Sequence, residues 1–144
     1  MHRRVIFRSI LVGVAALCGS RGNAAESSQA DRVVYHLCDR DKVEFVLACI
    51  GNHISAASGS AFQLALVVHG PALASFRRQF PFTAVEQGMG VAIRHGAKFY
   101  ACANTLASDN LSLDDLLTGF EVTHRGGVAY LADLQAQGWA YLRP

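Results

Sequence analysis

The 144-residue sequence carries none of the short motifs that mark the common nucleotide and metal enzymes. It has no CxxC, no HExxH and no clustered carboxylate set, so no metal site and no cofactor is expected. No GxGxxG follows a strand and no phosphate loop ends in its lysine, while Gly88-Met89-Gly90 lies inside a helical pattern. Asp39, Asp41, Asp114 and Asp115 read as cap and turn residues, and none is paired in the manner of a glycosidase. Charge is scarce as well, at 17% of residues, and the formal +2 misleads. Arg3, Arg4, Arg8 and Arg21 all lie in the first 25 residues; from Glu26 onward 9 Lys and Arg stand against 11 Asp and Glu. No basic stripe remains to bind nucleic acid, and that class of function is rejected. No apolar run reaches the roughly 20 residues a spanning helix needs, so the mature chain is expected to hold no membrane segment.

What the sequence does have begins with an export pattern. His2-Arg3-Arg4 and Arg8 form a basic start, Ser9 to Cys18 an apolar run, and Gly22-Asn23-Ala24-Ala25 a small-residue end. This is the layout of a cleavable signal peptide over residues 1–25, with cleavage after Ala24 or Ala25 and a periplasmic or secreted product. Arg3-Arg4 also fits a twin-arginine signal loosely. An uncleaved anchor, or a lipid anchor on Cys18, are the alternatives, the second opposed by the bulky Leu17. Residues 26–31 are polar and read as a flexible leader, and residues 32–144 as one domain with its own core.

Removing the signal takes Cys18 with it and leaves Cys38, Cys49 and Cys102. Three is an odd number, so at least one thiol stays unpaired within a monomer and must be buried, shared between subunits, or used. A Cys38–Cys49 disulfide is sterically possible but not deducible from spacing.

Arg32–Cys38 is a β-branched and aromatic run that reads as a strand. Val43, Val46, Leu47, Ile50 and Ile54 recur at helical spacing over 41–57, with Asp41 as the expected N-cap. Phe62–His69 is almost continuously apolar, as a parallel strand covered on both faces requires. A second helix runs from Thr83 to His95-Gly96, and a third strand over Lys98–Asn104. Ser112 caps a short helix with Asp114-Asp115 in its first turn; Phe120–Thr123 is a brief strand, Arg125–Gln137 a last helix, and Trp139–Pro144 a terminal strand. The order β-α-β-α-β-α-β-α-β predicts an α/β domain with a mainly parallel five-stranded sheet and helices on both faces.

Cys102 lies where the third strand gives way to a polar turn, and open α/β sheets place ligands beyond the carboxyl ends of strands. An ordinary thiol, with a pKa of about 8.5, is only a few per cent ionised at neutral pH. Turn amides or a helix N-terminus there would raise the thiolate fraction. Burial as a small hydrophobe is the ordinary alternative. His69 ends the second strand before Gly70-Pro71 and, if the first three strands are neighbours, shares the carboxyl edge with Cys102, able to share its proton or donate to a persulfide. Asn104 and Thr105 follow the cysteine and either cap the next segment or orient a ligand. His36 reads as a satisfied core residue and His124 as structural or exposed.

Val33–His36, Leu66–Pro71, Phe99–Thr105, Asp114–Leu117, Phe120–Val122 and Gly138–Leu142 together resemble the DsrE/DsrF-like family of small sulfur-relay proteins, over residues 32–144. The resemblance implies a flavodoxin-like three-layer sandwich, a homo-oligomer, and a cysteine that carries sulfur as a persulfide. Cys102 is then the catalytic, sulfur-accepting residue, with His69, Asn104 and Thr105 as substrate-binding candidates and a sulfur-donor or acceptor protein as partner. Well-studied members of the family work in the cytoplasm with dedicated partners, whereas this chain carries an export pattern. A second reading is a non-enzymatic exported module for ligand binding or assembly in which Cys102 is packing. A third is a thiol-disulfide protein using Cys38 and Cys49.

Overall fold

The computed structural model describes residues 31–57, 61–79 and 83–144. The expected signal and all of the leader except Asp31 lie outside them. Nine elements follow in the expected alternation: β1 (Asp31–Leu37), α1 (Val43–Ala56), β2 (Phe62–Val68), α2 (Thr83–Arg94), β3 (Lys98–Cys102), α3 (Ala103–Ser108), β4 (Phe120–Thr123), α4 (Gly127–Ala136) and β5 (Ala140–Leu142). Short 3-10 turns at Arg40–Lys42, Gly70–Phe76 and Leu113–Asp115 join them. Among the described residues no helix is long and apolar enough to cross a membrane.

All five strands run parallel, in the order β4-β3-β2-β1-β5. From β1 to β4 the chain steps in one direction, so right-handed crossovers put α1 and α2 on one face. The step from β4 to β5 passes back over three strands, and the same handedness carries α4 to the opposite face. Three layers result, and the flavodoxin-like α/β class expected from the sequence is what forms.

Alternation along each strand divides the core. Val33, Tyr35, Leu37, Leu64, Leu66, Val68, Phe99 and Ala101 face α1 and α2, where Val46, Leu47, Ile50, Met89 and Ala92 meet them. Val34, Ala65 and Val67 face α4, through Leu131 and Leu134. Each fully buried Val, Leu or Phe contributes roughly 1.5–3 kcal/mol through removal of apolar surface from water. The positions between them on the α4 side carry the polar residues discussed below.

Several boundaries differ from expectation, among them the third strand, expected to Asn104, which ends at Cys102, and the terminal strand, which spans only Ala140–Leu142. The first helix is preceded by a 3-10 turn, so Asp41 lies inside that turn and Lys42 takes the N-cap without a side-chain bond. A helix the sequence did not announce, α3, starts directly after Cys102. Ser112 and Asp115 do form a reciprocal capping box, but around a 3-10 turn. The last helix starts at Gly127 after a glycine cap with φ of 90°, and Arg125 instead pairs with Asp133 at 2.7 Å.

Candidate functional site

Cys102 is the last residue of β3 and faces the α4 layer, because Phe99 and Ala101 occupy the other face. Its Sγ accepts the backbone N–H of Gly127 at 3.1 Å. That amide opens α4, so the positive end of the helix dipole points at the sulfur. Burial pushes the thiol up, yet the amides of Gly127 and Thr105, the Thr105 hydroxyl and the Asn104 amide together outweigh it and hold Cys102 below the ordinary thiol range. The approach of α4 depends on glycine. A Cβ at Gly127 would lie 3.3 Å from the Cβ atoms of both Cys102 and His69 and 3.4 Å from Val67 Cγ1.

Thr105 is buried, and its Oγ1 accepts the Gly70 N–H at 2.9 Å, which ties the turn after β2 to the cysteine. Asn104 contributes its amide, while its exposed side chain lies against Gly126. The structure therefore brings Cys102, Thr105 and Asn104 together as one constellation. A cavity of about 240 Å³ opens nearby on the same face, lined by residues including Tyr100, Thr123 and Tyr130, with Thr123 the register partner of Cys102.

His69 reaches the same edge, since β2 and β3 are neighbours and Gly127 abuts both residues. Its ring, however, is engaged elsewhere: Nε2 of His69 meets Nε2 of His36 at 2.5 Å, one ring donating and the other accepting. The two imidazoles stack with centroids 4.8 Å apart. Nδ1 of His36 bonds to the Tyr141 hydroxyl at 2.6 Å. Burial, then the neighbouring imidazole and Arg143, push His36 down to about 4. Burial and Arg143 likewise lower His69, so both rings are neutral near pH 7.

Cys38 follows two residues after His36 and carries the line of groups outward. Arg143 donates to its Sγ at 3.1 Å and to Asp39 Oδ2 at 3.3 Å, and the thiol points at Asp39 Oδ1 at 3.6 Å. Burial and Asp39 push the Cys38 thiol up against the pull of Arg143. His36, Cys38 and His69 offer ligand atoms that all lie within 4.8 Å of one another. His36 is buried and satisfied, as expected of a core residue, while Cys38, expected at most in a disulfide with Cys49, lies instead among His36, His69 and Arg143. The available signal for this grouping was the two-residue spacing of His36 and Cys38 at the end of one strand, with His69 one step past the Leu37–Val68 pair. Cys49 packs against the α1–α2 core instead, and Cys38, Cys49 and Cys102 are all free thiols, so no Cys38–Cys49 disulfide forms.

No protein-family model matches the sequence, and no curated protein matches it. Solved structures do. MTH1491 from Methanobacterium thermoautotrophicum, a protein of unknown function, aligns with a TM-score of 0.69 at 28% identity, over 79% of this chain and 99% of that one. The ychN protein from E. coli aligns with a TM-score of 0.61 at 18% identity over the same shares. Both neighbours have the DsrE-like fold. This chain has the DsrE-like fold. In that DsrE-like frame the cysteine sits at the carboxyl end of β3, with α4 closing over it from the face opposite α1 and α2.

Proposed function

We propose that the protein is an exported, homo-oligomeric sulfur carrier in which Cys102 accepts sulfane sulfur as a persulfide and passes it to a partner protein. The observation that carries this reading is the Sγ of Cys102, which meets the opening amide of α4 at 3.1 Å and is held below the ordinary thiol range although nearly buried. A thiolate stabilised by amides is the species that attacks sulfur. With a low-molecular-weight persulfide as donor, Cys102–S⁻ attacks its terminal sulfur; the S–S bond of the donor breaks, a new S–S bond forms at Cys102, and the donor leaves as a thiolate. The amides of Gly127, Asn104 and Thr105 then face a persulfide anion and stabilise it as they do the thiolate. Asn104 is placed to orient the donor, being exposed beside Gly126. His69 abuts Gly127 beside the site but spends its Nε2 on His36, so its part is steric, holding the opening turn of α4 in place.

A second reading is favoured by one number. Cys102 is only 6% exposed, which suits an inert thiol in a binding or assembly module. Incubation with a sulfane-sulfur donor followed by intact mass and peptide mapping separates the two. The carrier gains one or more sulfur atoms on the peptide containing Cys102, and Cys102→Ser does not load. Absence of loading in the folded protein, with the thiol unreactive, makes the module the better account.

A further inference from the structure

The outer end of the same edge holds a group of donors that the sulfur reading leaves unused. We propose that His36, Cys38 and His69 form a binding site for a single thiophilic d10 cation, Zn²⁺, at the carboxyl ends of β1 and β2. Two imidazole nitrogens and one sulfur within 4.8 Å of one another are the donor types such an ion selects. Strand register places them: His36 lies on β1, Cys38 is the first residue beyond its end, and β2 runs beside it so that His69, the first residue beyond the Leu37–Val68 pair, falls at the same level.

The fit demands small movements. Zn–N of about 2.0–2.1 Å and Zn–S of about 2.3 Å in a tetrahedron require ligand atoms roughly 3.3–3.6 Å apart. The paired Nε2 atoms at 2.5 Å must open by under about 1 Å, and the sulfur must close in by up to about 1.2 Å. A proton now holds the two nitrogens together; when the cation takes its place that proton shifts to Nδ1 of its own ring, which stays neutral, and the Cys38 proton leaves to solvent.

Two further groups serve the site. Tyr141, 2.6 Å from Nδ1 of His36, receives the N–H of the ring once Nε2 is a ligand, which fixes its orientation. Asp39, with an oxygen 3.6 Å from the Cys38 sulfur, adds negative charge beside the cation, and the fourth position is left to water. Arg143 opposes a cation and must leave Cys38. Its side chain is 49% exposed and next to the chain end, so it swings into solvent without unpacking the core.

The test titrates Co²⁺, as a spectroscopic stand-in for Zn²⁺, into the full reduced chain, with Zn²⁺ competition giving the affinity. One equivalent is expected, with a thiolate-to-cobalt charge-transfer band in the near ultraviolet. Cys38→Ser should abolish the band and weaken binding at least about 100-fold, and Tyr141→Phe should weaken it roughly 10-fold. Arg143→Ala should tighten it. Cys102→Ser should leave stoichiometry and band unchanged, so the cation site stands or falls separately from the sulfur carrier. A band that survives Cys38→Ser, or that Cys102→Ser removes, overturns the proposal, as does the lack of any stoichiometric band. If His36→Gln fails to fold, Cys38→Ser and Tyr141→Phe decide the matter, since neither side chain is buried.

Discussion

Cys102 and Cys38 lie at the same edge of the sheet, yet their thiols are driven in opposite directions, because amide and hydroxyl donors outweigh burial at Cys102 whereas burial, with Asp39, outweighs Arg143 at Cys38. Their reaction with iodoacetamide in the folded protein should therefore separate on the pH axis. As pH falls, Cys38 should lose reactivity first and Cys102 last, when each rate is normalised to its own plateau; coincident midpoints by peptide mapping would remove the argument for Cys102 as the nucleophile. Gly127→Ala tests the cause. Its Cβ crowds Cys102, His69 and Val67, α4 shifts outward, and the N–H···S contact lengthens. The Cys102 midpoint should rise and its alkylation at pH 7 should slow. Thr105→Val removes both the hydroxyl beside the sulfur and the acceptor of the Gly70 amide. An orphaned buried amide costs about 1–3 kcal/mol, and the half-buried Gly70 amide stands at the low end of that range, so this variant should unfold at lower urea while also raising the Cys102 midpoint.

The strands carry the stability on which that geometry depends. Phe99 is fully buried in β3 and packs edge-on against Phe120 of β4, centroids 5.7 Å apart. Phe99→Ala should cost about 3–5 kcal/mol, read as a shift in the urea midpoint. These strands were legible because Leu64 to Val68 is unbroken apolar sequence, and only a strand covered on both faces wants that. The placement of Cys102 at a strand end was legible for the same reason. Helix α3 was not, since Ala103–Ser108 is too short to show a helical period and its polar residues imitate a turn. His36 is the satisfied core residue the sequence suggests, but its partners were not legible: His69 comes from just beyond the next strand and Tyr141 from the far end of the chain. No local pattern tells that β5 pairs with β1, and without that pairing Tyr141 and Arg143 have no known neighbours.

At the scale of the whole molecule, folding buries His36 and half-buries His69 as neutral rings, and stability should follow pH accordingly. The folded pKa of His36 is pushed down to about 4, below the ordinary value of about 6.5 that the unfolded chain keeps. Above pH 6.5 both states hold the ring neutral and the full stability is present. Between 6.5 and 4 only the unfolded state takes the proton, so stability falls, by at most about 1.4 kcal/mol per pH unit for one ring. His69, lowered as well, adds to the fall. Urea midpoints in chelator-treated buffer at pH 7 and pH 4.5 should differ in that direction, and a flat profile would contradict the burial of both rings. β5 has a consequence of another kind. It is three residues long and exposed throughout, yet it pairs with the first strand of the domain and brings Tyr141 and Arg143 to groups encoded a hundred positions earlier. During synthesis, His36 and Cys38 are made early but must wait for residues 140–143, so a nascent or truncated chain displays a bare thiol and an unanchored imidazole pair. The order of translation thus sets the order of assembly, and the outer site is the last part of the sheet edge to be completed.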